Sequence, residues 1–149
     1  MLLSELIGTW RGEGSGEYPT IEPFSYSEEL VISDVGKPFL RYEQRTWSSL
    51  GAPMHTELGF LRAPNADQIE FVIAQPTGQT ELLEGGLVAL ASGFRLELAG
   101  RIMNTTTAKE VEATRREIQV QGDLLLYDFA MAAVGVPMTH HLHAELRRI

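Results

Sequence analysis

Ile69-Glu70-Phe71-Val72-Ile73 places Ile69, Phe71 and Ile73 on one face of an extended chain. Phe94-Arg95-Leu96-Glu97-Leu98 repeats the pattern, with Arg95 and Glu97 on the opposite face. An apolar residue at every second position is the period of a strand with one buried and one wet face. Working outward, turn signals recur: Tyr18-Pro19, Asp34-Val35-Gly36, Gly51-Ala52-Pro53, Pro64-Asn65-Ala66-Asp67, Pro76-Thr77-Gly78, Gly85-Gly86, Gly93, Gly100, Gly122-Asp123 and Gly135-Val136-Pro137. The segments between them predict strands over 8–16, 23–33, 39–48, 55–63, 68–75, 79–84, 87–92, 94–102, 111–120, 123–131 and 138–148. Short strands at even spacing, with no room for crossover helices, predict an all-β fold: one closed antiparallel up-and-down barrel. One segment has two readings. Thr107-Ala108-Lys109-Glu110 is a formal capping box and Glu112 to Arg116 an i,i+4 pair, which suits a short helix over 107–116. Val111, Ala113, Ile118 and Val120 form no helical stripe, which favours the strand.

The chain has 149 residues, 44% of them hydrophobic, which is enough for one core and fits a single domain over 1–149. Twelve basic against 20 acidic side chains give a net charge of −8, which argues against a nucleic-acid binder and against docking on an anionic membrane. Absence of cysteine excludes disulfides, thiolate-bound zinc, iron–sulfur clusters and covalent c-type haem. Met1 to Trp10 lacks a basic leader region, and Phe129 to Met138 is too short to cross a bilayer as a helix. The expectation is a soluble, cytoplasmic protein.

Gly8-Thr9-Trp10-Arg11-Gly12-Glu13-Gly14-Ser15-Gly16 is the most informative run, with glycine at every even position except Trp10. As a strand it has one face of glycines and an indole. Glycine inside a strand costs roughly 0.5–1 kcal/mol relative to alanine. Two reasons would justify it: sharp coiling at barrel closure, or room inside for a bulky ligand. With Pro19 extended, Tyr18 and Thr20 continue the inner face.

The run Gly8-x-Trp10-x-Gly12-x-Gly14-x-Gly16-x-Tyr18-Pro19-Thr20-Ile21 resembles the signature of the nitrobindins. These are haem-binding ten-stranded barrels shaped like lipocalins and fatty-acid-binding proteins. The resemblance continues through Pro23-Phe24-x-Tyr26-x-Glu28-Glu29, Gly36-x-Pro38, Pro53-Met54-His55-x-Glu57-x-Gly59-Phe60, Ala74-Gln75-x-Thr77-Gly78 and Met138-Thr139-x-His141-Leu142, and so spans essentially the whole chain. It implies a noncovalent haem b, one per chain, with His141 as the axial iron ligand and Thr20 as a second haem contact. It also implies a ferric iron that binds nitric oxide and isomerises peroxynitrite to nitrate, with no catalytic side chain beyond the iron. The runner-up on the residues alone is a haem-free carrier or sensor of a small apolar molecule in the same barrel.

His55, His140, His141 and His143 are the only histidines. Histidine is the commonest metal ligand. His141 and His143, two apart on a strand, could also chelate zinc, with no third ligand evident from spacing. Strand alternation from Leu142, Ala144 and Leu146 puts His140 inside and His141 outside, against the resemblance. A bulge near Pro137, or a haem held at the barrel mouth, would reconcile the two. His55 has equal standing as a pocket, core or surface residue. The sequence assigns no partner macromolecule and no oligomeric state.

Overall fold

The structure is a computed structural model and describes residues 2–149. Ten strands follow one another: β1 (Gly8–Tyr18), β2 (Ile21–Asp34), β3 (Phe39–Ser48), β4 (Pro53–Asn65), β5 (Gln68–Ala74), β6 (Gln79–Ala89), β7 (Phe94–Asn104), β8 (Val111–Gln121), β9 (Leu124–Ala133) and β10 (Val136–Arg148). Each pairs antiparallel with the next, and β1 closes on β10, so every edge is paired. The alternation read from the sequence sets the register. Ile69, Phe71 and Ile73 are buried, as are Phe94, Leu96 and Leu98.

Two readings resolve differently from one another. The segment over 111–120 is a strand: Asn104 and Val111 exchange side-chain–backbone hydrogen bonds across the β7–β8 connection, and Thr114, Arg116, Ile118 and Val120 point inward in strict alternation. The separate strands expected over 79–84 and 87–92 are one strand, β6, because Gly85-Gly86 does not turn. A Cβ on Gly85 would overlap the Glu97 carbonyl oxygen of β7, so glycine there serves close strand approach.

One end of the barrel is plugged. A single 3₁₀ turn, Ser4–Leu6, folds Leu3 and Leu6 under the strands, and Trp10 Nε1 donates to the Leu6 carbonyl at 2.9 Å. Arg148 stacks on the Trp10 ring at 4.2 Å and donates to backbone carbonyls of Glu5 and Ile7. Above this plug lies the apolar core, including Leu30, Leu40, Phe71, Leu96 and Leu146. The other end stays open, lined by the β1–β2, β5–β6, β7–β8 and β9–β10 connections.

The glycines of β1 divide the two tasks that the sequence allowed. A Cβ on Gly12 would overlap the Glu145 carbonyl of β10, which is barrel closure. A Cβ on Gly14 or Gly16 would overlap the rings of Tyr26 or Phe24, which lie across β1 and form a wall of the open end.

Candidate functional site

The open end holds a cavity of about 630 Å³, within the ~300–1,000 Å³ range of small-molecule and cofactor sites. Its upper walls are largely apolar and aromatic, with Tyr18, Phe24, Ile102, Phe129, Met131 and Leu142. Thr20 and Lys109 stand exposed at its mouth.

His141 enters this cavity because β10 carries one extra residue. His140 pairs with Ala130 and Leu142 with Phe129, so two steps on β10 match one on β9. This bulge turns His141 inward beside Leu142 and leaves His140 outside. Alternation alone, which put His140 inside, fails at this residue. His140 instead bonds Asp128 at 3.1 Å on the outer surface, and His143 bonds the same carboxylate oxygen at 2.8 Å. His141 is wedged among Tyr18, Phe24 and Phe129, at ring-centroid distances of 5.3, 6.3 and 6.0 Å. Tyr18 is itself fixed by a hydrogen bond to the Met131 carbonyl at 3.0 Å.

Burial lowers the His141 pKa from its ordinary value, with neighbouring histidines adding to the effect and the Glu17 carbonyl opposing it. In the neutral ring Nδ1–H donates to that carbonyl at 2.9 Å, which leaves Nε2 as a lone-pair donor with no hydrogen bond among the described residues. An imidazole with one nitrogen pinned by a carbonyl and the other free is the arrangement of a metal-ligating histidine. No group of three or more His, Asp or Glu among the described residues is placed to hold a bare metal ion, so the zinc reading finds no site.

The cavity floor is polar. Arg116 is buried and bonds the Glu57 carboxylate at 2.7 and 3.1 Å and the Glu81 carboxylate at 2.6 and 3.2 Å. Tyr42 Oη donates to Glu57 at 2.8 Å and Thr114 Oγ1 to Glu81 at 2.9 Å. Burial alone would push the Glu57 carboxyl up, but the Arg116 charge, with hydrogen bonds from His55 and Arg116, brings it down to about 2. Glu28 has no such partner: burial pushes its carboxyl up to about 8, against a hydrogen bond from Gln44. His55 lines the cavity, 3.4 Å from Glu57. Sequence reasoning gave no site role to Glu28, Glu57, Glu81 or Arg116, although Glu28 and Glu57 stand in the motifs of the resemblance and Arg116 was read as half of a helical ion pair. The signal was parity, since Ile118 and Val120 inward require Arg116 and Thr114 inward.

The cavity therefore combines a wall of rings, a histidine nitrogen free to coordinate, a wet mouth with a cation, and a charged floor. A family model described as "THAP4-like, heme-binding beta-barrel domain" matches residues 1–148. Peroxynitrite isomerase 2 of Mycobacterium marinum is 51% identical over 148 residues, covering 98% of this chain and 92% of its own. Peroxynitrite isomerase of Nocardia farcinica is 49% identical over 148 residues, covering 98% and 88%. The crystal structure of Rv2717c from M. tuberculosis superposes with a TM-score of 0.95 at 45% identity, covering 99% of this chain and 94% of that one.

Proposed function

Because the chain belongs to the THAP4-like, heme-binding β-barrel domain family, we propose that it binds one noncovalent haem b through His141 and isomerises peroxynitrite to nitrate. The observation that carries this reading is the free Nε2 of a neutral, pinned His141 inside a ring-lined cavity. Haem, when bound, supplies a Lewis-acidic iron with an open position, where nitric oxide also binds.

The residues present fit that group. The Glu17 carbonyl fixes the His141 tautomer, and Tyr18, Phe24 and Phe129 hold its ring plane. Phe24, Ile102, Met131 and Leu142 offer the apolar surface a porphyrin needs, and Thr20, at the mouth, would meet its edge. Lys109, also at the mouth, supplies a cation for carboxylates that face water. Peroxynitrite anion and nitrate have the same atoms and the same charge, so the isomerisation transfers no net proton and calls on no positioned acid or base from the chain. The runner-up, a carrier of an apolar molecule, accounts less well for Glu57, Glu81 and Arg116 in the floor of the same cavity.

The test is to load the chain with hemin and mix it with peroxynitrite in the presence of free tyrosine. Loaded protein is expected to suppress tyrosine nitration and raise the nitrate yield. Nitration equal to that of the hemin-free chain would contradict the reading.

A further inference from the structure

The inner wall of the cavity contains two buried polar atoms with no hydrogen-bond partner among the described residues, Gln44 Oε1 and Tyr26 Oη. Their residues are 2% and 4% exposed, and both line the cavity. Burying a polar atom without a hydrogen-bond partner is costly, so two on one wall call for an occupant. Behind them sits Glu28, 3% exposed and outside the cavity lining, accepting a hydrogen bond from Gln44 Nε2 at 2.9 Å.

An amide that donates to a carboxylate suits the ionised acid. A protonated carboxyl has an O–H to give, and the amide atom that takes it is the oxygen. Gln44 can meet both states by turning its amide over, and each orientation shows the cavity the opposite atom. We propose that Glu28, Gln44 and Tyr26 form a proton-gated subsite for a small uncharged molecule. With Glu28 ionised, Gln44 Oε1 faces the cavity and takes a hydrogen-bond donor. With Glu28 protonated, its O–H bonds Oε1, the amide NH₂ faces the cavity, and the wall takes an acceptor such as a carbonyl oxygen. Tyr26 Oη serves either state, because a hydroxyl both donates and accepts.

The groups that set the gate come from five strands. Glu57 favours the neutral acid, and the Gln44 hydrogen bond and Arg116 the ionised one, while Tyr26, Tyr42 and Tyr127 lie close in the same buried belt. Burial outweighs them and pushes the Glu28 carboxyl to about 8, so the gate turns near neutral pH. The subsite involves neither His141 nor haem, and its test is separate from the proposed activity.

The experiment is NMR on the full hemin-free chain between about pH 6 and pH 10. The Glu28 side-chain carbon is expected to titrate near 8. The Gln44 side-chain amide and Tyr26 ring resonances are expected to move with the same midpoint, and to stop moving in Glu28→Gln. Acetone, which only accepts hydrogen bonds, should shift the Gln44 side-chain amide at pH 6 and not at pH 10, while Tyr26, whose hydroxyl can donate in both states, reports that acetone is in the cavity. A Glu28 midpoint in the ordinary carboxylate range, or Gln44 movement at another midpoint, overturns the gate; so does Gln44 movement that persists in Glu28→Gln. Acetone shifts of the Gln44 amide that are equal at the two pH values, or absent at both, overturn the subsite. Should Glu28→Gln fail to fold, the wild-type midpoints and the acetone pair still decide.

Discussion

Replacing Arg116 with methionine keeps an unbranched apolar stem and removes the guanidinium and its charge from the barrel interior. Glu57 and Glu81, 2% and 1% exposed, then lose the guanidinium that both contact. Breaking a buried ion pair from one side costs ~3–5 kcal/mol, because the charge left behind is uncompensated. Protonation offers the carboxylates an escape. For a carboxyl of ordinary value near 4.5, it costs about 3.4 kcal/mol at pH 7 and about 0.7 kcal/mol at pH 5, from ~1.36 kcal/mol per unit. Arg116→Met should therefore lose roughly 3–5 kcal/mol of unfolding free energy at pH 7, and clearly less at pH 5. Urea unfolding followed by tryptophan fluorescence (Trp10 and Trp47) and far-UV circular dichroism at the two pH values measures it. Adding Glu57→Gln and Glu81→Gln to the variant should recover most of the loss. A loss below about 1 kcal/mol at pH 7, or the same loss at both pH values, would refute the account of the floor.

Gly12→Ala presses a Cβ into the β10 backbone and should destabilise the barrel by at least 1–3 kcal/mol in urea, whereas Gly16→Ala meets only the Phe24 ring and should keep the fold while weakening hemin binding. Equal stability losses would dissolve that distinction. Glu28→Gln should gain stability relative to wild type as pH rises. Between 4.5 and about 8 only the folded state keeps the Glu28 proton, so wild type loses ~1.4 kcal/mol per unit, about 5 kcal/mol in total. A wild-type minus variant difference that is flat from pH 5 to pH 8 would contradict this. Thr20→Val keeps the shape at the mouth and removes the hydroxyl, and is expected to weaken hemin affinity about fivefold, from ~1 kcal/mol for one hydrogen bond. Unchanged affinity would reduce Thr20 to a turn residue.

The barrel was legible wherever inside and outside differ in polarity. Ile69-Glu70-Phe71-Val72-Ile73 and Phe94-Arg95-Leu96-Glu97-Leu98 give both strand and register, because burial is read directly from residue type. Legibility fails where the interior is itself polar. Glu28, Glu57, Glu81 and Arg116 look like surface residues one at a time, and only the parity of their strands puts them inside. It also fails where parity breaks: the irregularity expected near Pro137 is present between Val136 and Thr139, but the bulge that turns His141 inward lies between His140 and Leu142, where no glycine or proline marks it. There the family resemblance named the inward histidine and periodicity named its neighbour. Gly85-Gly86 misled for a third reason: glycine marks close backbone approach as readily as a turn.

The central claim is that His141, not His140, holds the iron. The two are adjacent on β10, one turned into the cavity by the bulge and the other bonded to Asp128 on the outer surface. The most direct measurement is a hemin titration of His140→Ala and His141→Ala, reading the Soret band and its response to nitric oxide. His140→Ala should match wild type, since an exposed histidine–carboxylate contact contributes little. His141→Ala should lose both the wild-type Soret band and the nitric oxide response. A His141→Ala variant that keeps both would contradict the account.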